Sequence, residues 1–305
     1  MAAGDFRRSI NGVYPGFTHE KEGEWKGNFT FIQGADTQFG LIDRWFLKNP
    51  IENNVWDQEM ELTKQAIKHA NEMIPKPKFF ILCGDLIDAM PHTKHRGVQE
   101  EDFKKLYSEL DSEIPLVCVC GNHDVGDIPT KESLESYRAE FGDDYFTFCV
   151  GGVFFIIVNS QLFKNHVNVP EEYEAHLKWI DRQLEVFKSS KCKHCVVFQH
   201  IPWFREKADE VESYFNINPE LRFKMMDKFL AAGVRHIFCG HIHQNAGGWY
   251  KDLEIVVTSA IGCQTGEDKS GFRLVRVAEH NIDHKYYNLG ECPKHFDLDE
   301  KNDLP

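Results

Sequence analysis

Five short runs in this chain place a carboxylate, an amide or an imidazole just beyond a hydrophobic, strand-like stretch. They are Gly34-Ala35-Asp36-Thr37-Gln38, Gly84-Asp85, Gly121-Asn122-His123-Asp124, Gln199-His200 and Gly240-His241-Ile242-His243. These side chains are the oxygen and nitrogen donors that divalent metals take. Singly, each run is weak, because an Asp after a strand more often caps a helix or forms a turn, and a lone His is more often a surface or core residue. His241 and His243 say more: two apart, they point the same way in an extended segment and can straddle two adjacent ions in a turn. In open α/β sheets, sites are built at the carboxyl ends of strands, and the glycines let the backbone turn sharply as the side chain points into the cleft. The five runs together, in this order, predict a divalent-metal site.

The elements that must position these runs follow from hydrophobic periodicity. Strands are expected at Phe29–Gly34, Phe79–Cys83, Leu116–Cys120, Tyr145–Cys149, Val153–Asn159, Cys195–Gln199, His236–Cys239, Ile255–Ser259, Arg273–Ala278 and Ile282–Tyr287, all rich in Phe, Ile and Val. Trp56, Met60, Thr63, Ile67, Ala70 and Ile74 recur at three- and four-residue steps, the period of a helix that Pro75 and Pro77 stop. Further helices are expected at Glu101–Glu109, Lys131–Phe141, Glu171–Lys188 and Pro219–Ala232, the last ended by Gly233. Strand–helix alternation argues for an α/β fold, and Gly151-Gly152 between two strands argues for a hairpin, hence a mixed sheet. The segments 1–27 and 290–305 read as polar tails or wrapping arms around a domain at 28–289.

Composition narrows the function. The chain has 305 residues, 42% hydrophobic and 27% charged, which suits a globular protein with a sizeable core. Its net charge of −13 lacks the broad basic surface that nucleic acid or an anionic membrane requires, so neither is expected as a partner. No apolar run approaches a membrane span, and no signal peptide is evident, which points to a cytoplasmic protein. Nine cysteines, an odd number with several in apolar strands, suit buried thiols in a reducing compartment. There is neither a Gly-x-Ser-x-Gly nucleophile elbow nor a Gly-rich lysine loop for nucleotide phosphates.

The ordered set Asp … Gly-Asp … Gly-Asn-His-Asp … His … Gly-His-x-His resembles the calcineurin-like metallophosphoesterases, with motifs from Asp36 to His243 and supporting strands to about Tyr287. The resemblance implies a four-layer α/β/β/α sandwich with mixed sheets and two divalent cations. Asp85 would bridge the two ions. Asp36 and His243 would complete one, and Asn122, His200 and His241 the other. Mixed oxygen and imidazole ligands suit manganese, iron, magnesium or zinc without choosing among them. His123 would protonate the leaving group, with Asp124 orienting its ring. Two ions about 3.5–4 Å apart neutralise a phosphate ester and lower the pKa of a shared water, whose hydroxide attacks in line.

The implied function is a serine/threonine protein phosphatase acting on phosphoserine in a signalling protein, with a signalling kinase as one such partner. A phosphodiesterase for a small nucleotide or phospholipid head group, or a non-catalytic interaction protein on the same fold, are the alternatives. Two positions depart from the pattern. The first motif of most relatives is Asp-x-His, whereas this chain has Gln38, either a weaker amide ligand or a packing residue. The best-known Ser/Thr phosphatases carry an arginine just before Gly-Asn-His, where this chain has Cys120. Arg205 and Asn245 are secondary candidates for contacting substrate.

Overall fold

The computed structural model describes residues 7–46, 56–299 and 304. In chain order it contains α1 (His19–Glu22), β1 (Phe29–Gly34), a π-helical turn (Ile42–Phe46), α2 (Asp57–Glu72), β2 (Phe80–Cys83), α3 (Arg96–Tyr107), β3 (Leu116–Val119), α4 (Asn122–Val125) and α5 (Lys131–Phe141). There follow β4 (Phe146–Val150), β5 (Val153–Ile157), α6 (Ser160–Lys164), α7 (Pro170–Lys188), β6 (His194–Phe198), α8 (Pro219–Ala232), β7 (His236–Cys239), β8 (Ala246–Tyr250), β9 (Leu253–Val257), β10 (Gly271–Val277) and β11 (Ile282–Asn288).

The strands form two mixed sheets, ordered β11-β10-β1-β2-β3 and β4-β5-β6-β7-β9-β8. In the first, β1, β2 and β3 run parallel; in the second, β5, β6, β7 and β9 do. The strands read as nearly continuous apolar runs because both faces of each sheet are covered. Side chains alternate between the faces. On β2, Ile81 and Cys83 enter the layer between the sheets with Phe31, Phe155, Phe198 and Phe238. Phe80 and Leu82 face the other way, onto Ala66 and Ile67 of α2, Phe103 of α3 and Tyr137 of α5. On the second sheet, Phe154, Ile156 and Val197 pack under Ile180 of α7 and Met225 and Phe229 of α8. The result is α/β/β/α layering.

Gly151 (φ +56°) and Gly152 (φ +86°) make the two-residue turn between β4 and β5, with Val150 opposite Val153, the left-handed pair a tight hairpin needs. The short helices α1, α4 and α6 and the π-helical turn were not expected, and two larger departures have a physical reason. Helix α3 starts at Arg96 rather than Glu101, because its first turns bury polar residues (Arg96, Gln99, Glu100) that hydrophobic periodicity does not register. Strand β8, Ala-Gly-Gly-Trp-Tyr, was not expected; it is an edge strand held by backbone pairing to β9 and lacks the β-branched residues that mark a strand.

Both ends of the described chain lie against the sandwich. Tyr14, Phe17 and Trp25 pack into the inter-sheet core, and Cys149 and Gly152 donate their N–H groups to the carbonyls of Phe17 and Glu22. At the other end Phe296, Cys292 and Leu304 join the α2–α3 side. No helix of the described residues is long and apolar enough to cross a membrane. All nine cysteines are free thiols.

Candidate metal centre

Strands β1, β2, β3, β6 and β7 deliver all five runs to one edge of the sandwich, where the two sheets meet. Asp36, Asp85, Asn122, His200, His241 and His243 are all buried there. The backbone is strained to aim them. Asp36 (φ +54°), Gln38 (+38°), Asp85 (+50°), His241 (+75°) and His243 (+57°) all occupy the left-handed region, which costs a non-glycine residue roughly 1–2 kcal/mol. Gly84 and Gly121 serve a different purpose: a Cβ at either would overlap the His200 ring or the Asp85 carboxylate, so these glycines give the ligands room to pass.

Donor atoms converge in two groups, Asp36 with Asp85 and His243, and Asp85 with His200 and His241, so Asp85 belongs to both. Each imidazole has one nitrogen beside a backbone carbonyl: His200 Nδ1 at 2.7 Å from Cys83, His243 Nδ1 at 2.5 Å from Cys263, and His241 Nε2 at 3.2 Å from Tyr214. The other nitrogen of each ring turns inward. His200 Nε2 meets Asn122 Oδ1 at 3.1 Å, His241 Nδ1 at 3.2 Å and Asp85 Oδ1 at 3.3 Å. Once His200 Nε2 gives up its proton, these four atoms are all acceptors, and a cation satisfies them together. On the other side His243 Nε2 lies 3.4 Å from Asp36 Oδ1.

The carboxylates also set how these rings titrate. Burial opposes charge on His200, but Asp85 and Asp36 outweigh it and lift the ring to about 9. His243 is raised, against its burial, chiefly by Asp36. His241 is pushed down to about 3 by burial and by the neighbouring His200. Burial likewise opposes charge on Asp85, yet His200 and His123 hold it below the usual carboxylate range. A cation entering here displaces the imidazole protons.

Gln38 reaches the same edge. Its Nε2 donates to Asp88 Oδ1 at 3.3 Å, and its buried Oε1 has no hydrogen-bond partner. An orphaned buried oxygen is costly unless something takes it up. Replacing Gln38 with His should tighten the weaker of two bound Mn²⁺ ions by about tenfold, since imidazole is the better donor. Calorimetric titration reads this directly, and an unchanged affinity would leave Gln38 a packing role.

His123 stands beside the cluster, with its N–H donated to Asp85 Oδ1 at 2.9 Å. The partner expected for its ring is corrected. Asp124 points away: it accepts from Gly121 N–H at 2.7 Å and Leu86 N–H at 3.2 Å, capping the turn that carries Asn122 and His123. Burial and the neighbouring Asp85 push its carboxyl up to about 7. The residue at His123 Nδ1 is Asp88, through its carbonyl at 2.5 Å and its carboxylate at 3.5 Å. Asp88 is held in turn by Arg44, with Nε and Nη2 each 2.7 Å from a carboxylate oxygen. Arg96 fixes the turn from below, donating to the carbonyls of His123 and Asp124. Of these, Asp88 was within reach of sequence reasoning, three residues after Asp85 in Gly-Asp-Leu-Ile-Asp; Arg44 and Arg96 carry no such signal.

The two secondary candidates are placed differently. Arg205 lies in the β6–α8 connection with its guanidinium over the Phe215 ring, which packs against His241. Asn245 is occupied elsewhere: its Oδ1 accepts from Arg273 Nη2 at 2.9 Å, and its N–H donates to Asp268.

The family model described as calcineurin-like phosphoesterase matches residues 29–245. The chain is 47% identical over 305 residues to the Homo sapiens serine/threonine-protein phosphatase CPPED1, covering 99% of this chain and 97% of that one. The Bos taurus protein of the same name is 46% identical with the same coverage. Among solved structures, a dimetal phosphatase from Danio rerio superposes with a TM-score of 0.60 at 15% identity, covering 87% of this chain and 98% of that one, a likeness of fold.

Proposed function

The chain belongs to the calcineurin-like phosphoesterase family, and on that premise we propose that it is a serine/threonine protein phosphatase working through two divalent cations. The observation that carries the reading is the convergence of two groups of metal-donor atoms that share Asp85. It stands together with full-length similarity to proteins named as serine/threonine phosphatases. Asp36, Asp85, His243 and Gln38 would hold one cation, and Asp85, Asn122, His200 and His241 the other. Bound there, two cations would neutralise the charge of a phosphate ester and supply an activated water.

The chain's own residues do the rest. The three backbone carbonyls fix which nitrogen each histidine presents. His123, with Nδ1 held at Asp88, has Nε2 left to donate a proton to the departing serine oxygen. Arg44 and Gln38 keep the Asp88 carboxylate in place beneath that ring. Asp124 acts at one remove, by shaping the turn that presents His123.

Manganese is our choice among metals that suit mixed oxygen and imidazole ligands. A cytoplasmic site of action is supported by nine free thiols, which persist in a reducing compartment. The substrate we favour is a phosphorylated signalling protein such as a kinase. A net charge of −13 argues against nucleic acid.

The test is phosphate release from a phosphoserine peptide by chelator-stripped protein, before and after Mn²⁺ is restored, with a bis-aryl phosphodiester run in parallel. Activity should vanish on stripping, return with Mn²⁺, and favour the monoester by at least tenfold. Faster turnover of the diester would move the assignment to a phosphodiesterase. No turnover of either with two ions bound would make the protein a binding module.

A further inference from the structure

We propose that Tyr214 is a positioning residue of the metal centre, fastening with two of its own polar atoms two ligands, Asn122 and His241, that come from different sheets. The proposal rests on the two-metal reading above.

Asn122 follows β3 of the five-stranded sheet. An amide can turn either its oxygen or its nitrogen inward, and only its neighbours decide which. Here Nδ2 donates to Tyr214 Oη at 2.9 Å and to Asp127 Oδ1 at 3.1 Å, so both of its protons are used. Oδ1 is thereby left as the inward atom, 3.1 Å from His200 Nε2. The Tyr214 hydroxyl completes the arrangement by donating to Asp127 Oδ1 at 3.4 Å.

His241 follows β7 of the six-stranded sheet. The carbonyl of the same Tyr214 lies 3.2 Å from its Nε2, which makes Nδ1 the inward nitrogen. The tyrosine ring lies over the imidazole with centroids 5.0 Å apart. One residue from a loop thus selects the donor atom of a ligand on each sheet.

The loop is built to hold that residue still. Residues 199–218 connect β6 to α8 with no regular element, a length that is uncommon without a function. Glu210 accepts from the N–H groups of Arg205 (2.7 Å), Glu206 (3.1 Å) and Lys207 (3.3 Å) and from Asn216 Nδ2 (2.6 Å). Arg222, fully buried on α8, donates to the carbonyls of Ala208, Glu210 and Ile217. Lys164 reaches across from α6 to the carbonyls of Ser213 and Asn216, on either side of Tyr214. Tyr214 is itself 52% exposed, so hydrophobic burial does not account for its placement.

Tyr214→Phe removes the hydroxyl and keeps the ring and the carbonyl. The experiment is calorimetric titration of the chelator-stripped chain with Mn²⁺, for wild type, Tyr214→Phe and, as a control on the exposed part of the same loop, Val211→Ala, with metal-free melting temperatures alongside. Partners of metal ligands are worth about 10–100-fold in affinity. One of the two Mn²⁺ ions should bind Tyr214→Phe weaker by that factor, the other unchanged, with the metal-free melting temperature as in wild type. Val211→Ala should bind both as wild type does. Two wild-type affinities in Tyr214→Phe would overturn the proposal and leave the two-metal reading standing. So would equal weakening of both ions together with a lowered melting temperature, which marks a structural role. A wild-type chain that takes up no Mn²⁺ would overturn both.

Discussion

Asp85→Asn should strip the protein of both cations and of its activity together. The substitution keeps the shape of the side chain and an oxygen to accept the His123 N–H, so the turn at 121–125 has no reason to move. It removes the one charge common to both donor groups. A charged carboxylate that is 2% exposed is tolerated because His200 and His123 face it; it is built to meet positive charge. Metal activation is worth several kcal/mol of barrier, and each 1.36 kcal/mol is tenfold in rate, so turnover should fall by roughly a thousandfold or more. Metal content by mass spectrometry and phosphate release from a phosphoserine peptide measure the two losses. Asp85→Asn protein that retained one ion at wild-type affinity would show that the carboxylate is not shared.

His123→Ala should separate chemistry from metal binding. The ring sits beside the cluster without belonging to either donor group, so both ions should remain. Loss of a positioned acid costs about 10²–10⁴ in rate. That loss should appear in kcat on phosphoserine, whose alkoxide leaves poorly, and shrink on an aryl phosphate whose leaving group needs no proton. A variant with equal losses on both substrates, or with none on phosphoserine, would remove His123 from the protonation step.

The donor set was legible because each donor follows a strand that announces itself in Phe, Ile and Val, and because parallel strands bring their carboxyl ends to one edge. What selects the donor atoms was not legible. Cys83, Cys263 and Tyr214 act through backbone carbonyls, and a carbonyl has no sequence signature. Asp124 differs for a related reason: the resemblance implied that it orients the His123 ring, but in a helical turn the side chain three residues on reaches back to cap the start. Arg44 and Asp88 meet only because the π-helical turn after β1 folds over the end of β2. The early start of α3 was hidden because Arg96 is buried by hydrogen bonds rather than by apolar contact.

The family model and the folded body have different bounds in this chain. The calcineurin-like phosphoesterase model ends at residue 245, yet β1, which leads into Asp36, is flanked on one side by β10, and β10 by β11, both beyond that point. Ahead of residue 29, Tyr14 and Phe17 stack on Phe146 and Phe148 of the inter-sheet layer. A chain trimmed to the shared segment would turn β1 from an interior strand into an edge with unpaired backbone groups and open an aromatic interior to water. The donors sit inside the family segment's bounds of 29–245, and the flanks, which the full-length relatives also match, close the body around them.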